Sequence, residues 1–194
     1  MKYGIIGAGA MGYRYGVMLQ ENAGVDVDFI DTWEPNVEQV RSQGGVSVAR
    51  DHENRHIVPI NIFYPEEYTG HPDVWIVFKK QMQLAEELER DSKAGIFHDD
   101  QYVFSAMNGM GHFEKIANYF PADHIVCGSA MIATRLDGPA NVDFMGAVDS
   151  EQMHMARYNN AKPDETVQAI FDDFTKAKLG PIFSDEWKGM CMSK

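Results

Sequence analysis

Along the chain, short apolar runs alternate with stretches whose apolar residues recur at helical spacing. Lys2–Ile6 (KYGII) predicts a buried strand, Met11–Gln20 a helix, Val25–Ile30 a second strand and Asn36–Ser42 a short helix. Between Ser47 and Ile62, two strand-like runs flank the polar stretch Asp51–His56, which predicts a hairpin. "DVWIVFKK", from Asp73, predicts a strongly apolar strand, and "QMQLAEELERDSKAG" an amphipathic helix stopped at Gly95. "QYVFSAMNG" predicts a strand ending in a turn, and "HFEKIANYF" a helix before Pro121. "HIVCGSAMIA", "NVDFMGAV" and "QMHMARYN" predict later strands, partly antiparallel. "PDETVQAIFDDFTKAKLG" predicts an amphipathic helix with Pro163 early and Gly180 past its end. Strands alternating with helices predict an α/β fold, a doubly wound and mostly parallel sheet with added antiparallel strands. There is no internal repeat.

Composition narrows the function classes. An apolar share of 44% over 194 residues supports a full core. A formal net charge of −12 argues against nucleic acid or an anionic membrane as the main partner. No apolar run is long enough to span a bilayer, and the strand pattern begins at once, without a signal-peptide core. A cytoplasmic protein is expected. Cys127 and Cys191 lie far apart, which predicts reduced thiols. Neither they nor the seven histidines show metal-ligand spacing, so no metal is expected.

The first strand runs into Gly7, Gly9 and Gly12 at the spacing G-x-G-x-x-G, followed by a helical pattern. Read as a tight turn, the pattern needs no ligand. Read in its strand–helix context, it predicts a dinucleotide cradle made by Gly7, Ala8, Gly9, Ala10, Met11 and Gly12. The phosphates would then meet the helix N-terminus. Such a cradle calls for an acid at the end of the second strand, and Asp31 stands there, placed to accept from the adenosine ribose hydroxyls. A 2′-phosphate beside this carboxylate would cost roughly 4 kcal/mol per pair of unit charges at about 4 Å. Thr32 and Trp33 follow rather than an arginine, so NAD is expected over NADP. The fold class is therefore Rossmann-like.

The stretches "GIIGAGAMG", "VFKKQMQL" and "MNGMGHFEKI…HIVCGSAMIATRLDGP" resemble the ketopantoate reductase family (2-dehydropantoate 2-reductases and NAD-dependent D-2-hydroxyacid dehydrogenases) over nearly the whole chain. The β-hydroxyacid dehydrogenases share only the first of these motifs. The resemblance implies reversible hydride transfer between a nicotinamide cofactor and a small 2-oxo acid. It places the family's cofactor-holding lysine on Lys80, with Lys79 as neighbour, and its asparagine on Asn108, touching cofactor and substrate. A further cofactor contact would fall near Thr134, and Asp31 looks like the NAD-using branch. The family's acid is a lysine in a W-x-K pattern that opens a second, helical domain. Here "EWKGMC" keeps Trp187 but has Gly189 at the lysine position, with Lys188 one place early. One residue is about 100° of helix rotation, so Lys188 is only a displaced candidate for the catalytic acid. The implied division is a dinucleotide-binding domain over 1–180 and, over 181–194, the start of a helical domain that is otherwise missing. A fragment, a degenerate gene product and a chain that binds nucleotide without turnover all remain open. Apolar surface left by a missing domain predicts a homodimer. The rival to an oxidoreductase is a catalytically silent nucleotide-binding or interaction module.

Overall fold

A computed structural model describes residues 1–192. In chain order its strands are β1 (Lys2–Ile6), β2 (Asp26–Ile30), β3 (Val46–Arg50), β4 (Glu53–Val58), β5 (Asn61–Phe63), β6 (Val74–Val77), β7 (Tyr102–Ser105), β8 (Ile125–Ala130), β9 (Ala133–Gly138), β10 (Asn141–Met145), β11 (Met153–Arg157) and β12 (Pro181–Phe183). The helices are α1 (Ala10–Met18), α2 (Glu34–Gln43), α3 (Gln81–Lys93), α4 (His112–Ile116), α5 (Glu165–Lys176) and α6 (Trp187–Met192).

Eight strands form the main sheet in the order β12-β11-β8-β7-β6-β1-β2-β5. Every neighbouring pair is parallel except β8–β11. The chain builds outward from β1 through β2, then crosses to β6 on the other side. The strand order reverses between β1 and β6, and a cleft opens outside the carboxyl ends of such strands. Side chains alternate faces along a strand, so Ile5 and Ile6 enter different cores. Ile5 joins Tyr3, Phe29, Phe104 and Phe174 on one face of the sheet. Ile6 joins Val77, Leu84, Leu88 and Phe113 on the other. The β1 and β6 runs lack a polar alternation because both faces are covered.

The expected hairpin is β3–β4, turning at Asp51 and His52, both at positive φ. It belongs to a second sheet, β4-β3-β10-β9, whose β9 and β10 lie against α1. The helix expected over "HFEKIANYF" is shorter than its pattern and ends at Ile116. Pro163 precedes α5 rather than opening it, and Asp164 caps the helix by accepting from the Val167 N–H at 2.8 Å. Residues 181–192 extend the first fold: β12 pairs in parallel with β11, and Trp187 packs on Phe113 and Tyr158 at ring distances of 5.3 and 5.0 Å. Ser193 and Lys194, the end of the expected 181–194 segment, lie outside the described residues.

Candidate functional site

The three loop glycines are glycine for different reasons. Gly7 has φ +92°, and a Cβ there would run into the Phe78 carbonyl. A Cβ on Gly12 would run into the Gly7 carbonyl, so its absence lets α1 start tight against the turn. Gly9 is extended, with φ −91° and ψ −165°, and a Cβ on it would meet nothing within 4 Å. Nothing within the described chain requires glycine at position 9. No side chain caps α1 among the described residues, so the N–H groups of its first turn face outward beside Gly9.

That open side is a cleft of about 930 Å³. Its floor is the loop from Gly9 to Gly12; Lys79 and Lys80 stand at one side, and Asn108 and Gly109 across from them. Gln81 ties these two sides together, its side-chain amide donating to the carbonyls of Met110 at 2.8 Å and Asn108 at 3.3 Å. The wall is apolar: Ala106, Ala130, Ile132 and Leu136. Buried Arg14, from α1, holds the region of this wall. It donates to the Ala133 carbonyl at 2.5 Å, to the Met145 carbonyl at 3.0 Å and to Glu151 at 2.5 Å. Burial alone would raise the Glu151 carboxyl, but its bonds to Arg14 and Arg50 hold it below the usual carboxylate range.

Asp31 stands at the predicted place, just past β2, yet its carboxylate turns inward and is 4% exposed. It accepts from the Thr32 N–H at 2.7 Å, the Trp33 N–H at 3.2 Å, the Asn36 amide at 2.9 Å and the Lys79 ammonium at 3.4 Å. These donors fill about the four acceptor positions a carboxylate has. The expected bond to a ribose hydroxyl is thus not offered by a free lone pair; one donor would have to give way. Lys79 is also held by Glu87 at 3.0 Å. Behind them Asp91 is fully buried, with no hydrogen-bond partner among the described residues. Burial first, and the nearby Glu87 charge second, push its carboxyl up to about 8.

The structure brings Gly9, Ala10, Met11, Gly12, Lys80 and Asn108 to one cleft. Gly7 and Ala8 lie beneath it as buried turn residues. Thr134 is on β9, but its hydroxyl lies 3.4 Å from the Arg14 guanidinium, and its neighbours Ile132 and Leu136 form the wall. Lys188, the displaced candidate for a catalytic acid, is not among the residues that line this cleft. Glu186 caps α6 by accepting from the N–H groups of Lys188 and Gly189, and Trp187 anchors the inner face. Lys188 is left on the exposed side, its ammonium 5.6 Å from the Trp187 ring. The pattern did not reveal Asn36, which is fully buried. It donates to the Ala8 carbonyl and to Asp31, and accepts from Tyr13 and the Ala140 N–H, joining the loop to both sheets. Its only sequence signal is a polar residue early in a short helix. Glu87 sits in a charged helix run, and nothing in that run marks it as buried. Among the described residues, no group of acids, histidines and cysteines could hold a metal, and no helix is long and apolar enough to cross a membrane.

Comparisons with known proteins place the chain in a family. The family model for ketopantoate reductase PanE/ApbA matches residues 3–160. A 2-dehydropantoate 2-reductase of Streptococcus pyogenes is 30% identical over 97% of this chain and 60% of its own length. One from Lactococcus lactis is 26% identical over 95% of this chain and 57% of its own. The chain therefore spans about 60% of the length of the first of these relatives and slightly less of the second. A solved D-mandelate dehydrogenase with NADH and anilino(oxo)acetate superposes with a TM-score of 0.86 at 29% identity, over 98% of this chain and 59% of its own.

Proposed function

The chain belongs to the ketopantoate reductase PanE/ApbA family, and from that premise we propose that its cleft binds a nicotinamide dinucleotide for reduction of a small 2-oxo acid. One observation carries this reading: Gly9 is a glycine the fold does not need, at the spot where a diphosphate would approach the backbone. The N–H groups of the first turn of α1 would hold the diphosphate oxygens without any basic side chain. This suits a chain whose net charge is −12. The bound nicotinamide would supply or accept the hydride. Lys80 is exposed at the cleft and Asn108 faces it, so an ammonium and an amide are available to orient a substrate carboxylate and oxo group. The apolar wall of Ala106, Ala130 and Ile132 would exclude water from the reacting carbons. We favour NAD over NADP because Asp31, past the end of β2, and Glu87, on α3, stand against one Lys79, a surplus of negative charge.

The test pairs two substitutions. Gly9→Ala should fold with unchanged stability yet weaken NADH at least tenfold, read by nicotinamide fluorescence. Gly12→Ala should destabilise the protein itself, since its Cβ collides with backbone. Unchanged NADH affinity in Gly9→Ala ends the reading. A second reading, nucleotide binding without turnover, is favoured by Gly189 at the family's lysine position and by a cleft lining that does not include Lys188. NADH oxidation with ketopantoate, 2-ketoisovalerate and phenylglyoxylate separates the two.

A further inference from the structure

The corner where β2 and β6 end holds an ion cluster that the proposed reaction does not use. Lys79 is 13% exposed and lines the cleft. Its ammonium lies 3.4 Å from Asp31, 3.3 Å from the Thr32 hydroxyl and 3.0 Å from Glu87. Among the described residues it is the one cation within ion-pair distance of either carboxylate. The Lys79 contact is also the longest of the four that Asp31 accepts. It is the donor most readily displaced when a hydroxyl seeks that carboxylate, because Glu87 is already closer and can keep the ammonium.

We propose that Glu87 sets the cofactor preference of this cleft by occupying the Lys79 ammonium, so that a 2′-phosphate beside Asp31 finds that cation already neutralised. The inference rests on the dinucleotide reading above. With a ribose diol at Asp31, Glu87 retains Lys79 and the corner stays anionic. With a 2′-phosphate there, the phosphate competes with Glu87 for the same ammonium, and a buried carboxylate is left with the Thr32 hydroxyl but no cation if it wins. Glu87 acts through Lys79 and is a positioning residue.

The test measures NADH and NADPH binding to the whole chain by nicotinamide fluorescence at low ionic strength, because the effect is Coulombic. Glu87→Gln keeps the volume and removes the charge. It should tighten NADPH by about tenfold or more while NADH changes by less than about threefold. Adding Lys79→Met to Glu87→Gln should abolish the gain, and Glu87→Asp should keep the wild-type ratio. A purely structural role would weaken both cofactors together, and that result overturns the inference, as does an unchanged ratio in Glu87→Gln. Should the amide variant fail to fold, Glu87→Met fills the site with apolar volume and gives the same arms. Failure of the wild-type chain to bind either dinucleotide rejects the cofactor reading itself, whereas tight NADH binding with an unmoved ratio rejects only the role of Glu87.

Discussion

His112 opens α4 directly after the loop that carries Asn108, and it is fully buried. Neither ring nitrogen has a hydrogen-bond partner among the described residues, and the ring lies against Phe113 at 3.9 Å. Burial pushes its imidazole down to about 4 from an ordinary 6.5. The folded protein thus holds it neutral, and the unfolded chain takes up the proton first. The stability this contributes is fully present above pH 6.5 and is lost as the pH falls from there to about 4. The loss should reach roughly 3 kcal/mol at the acid end. His112→Leu should flatten that part of a urea-denaturation pH series, and parallel curves for the two proteins would refute the assignment. At this scale the sequence was legible where a residue type answers one local demand. Gly7 is dictated by its positive φ and by the Phe78 carbonyl, Gly12 by the Gly7 carbonyl five residues back, and their spacing announces them. Asp31 stands in its place, but its inward turn was hidden, because Asn36 bends back to it from the next helix and Lys79 comes from the end of β6, which only the fold brings near.

Arg14 joins three elements. It leaves α1 two residues after Gly12 and reaches the start of β9, the end of β10 and Glu151. Its charge is desolvated and answered by a carboxylate that is itself buried, with Arg50 adding a second contact at 3.0 Å. Removing one partner of such a pair leaves the other unpaired in a poor solvent, at a cost of about 3–5 kcal/mol. Arg14→Met should therefore destabilise by that order in urea denaturation. Combining it with Glu151→Leu should recover much of the loss, since a buried pair replaced by apolar side chains is often neutral. A double variant no better than the single one would mean the guanidinium matters through its bonds to the carbonyls of Ala133 and Met145. The order of strands and helices was readable from apolar spacing, because β1, β2 and β6 are buried on both faces and α3 and α5 on one. Sheet membership was not. The run from Ser47 to Ile62 reads as one hairpin, yet β5 leaves it to pair with β2, a long-range choice that no local period encodes.

Across the whole molecule, the cleft and the β12–α6 end of the sheet are separate works of one fold. The cleft lies at the strand-order reversal between β1 and β6, while α6 packs on β8 and β11 beyond it. The W-x-K resemblance matches Trp187 and makes Lys188 only a displaced candidate for the catalytic acid. In the fold Trp187 closes the cluster of Phe113 and Tyr158, and the helix anchored by that ring leaves Lys188 on its exposed side. Motif resemblance carries residue types but not the rotation of a six-residue helix, which depends on what it packs against. Trp187→Ala should then cost about 3 kcal/mol or more through the cavity it leaves. Its NADH affinity, measured on the folded fraction well below the melting temperature, should stay within about twofold of the parent, since the lost contacts are not those of the cleft. A loss of NADH binding in step with stability would join the two regions energetically and return α6 to the site.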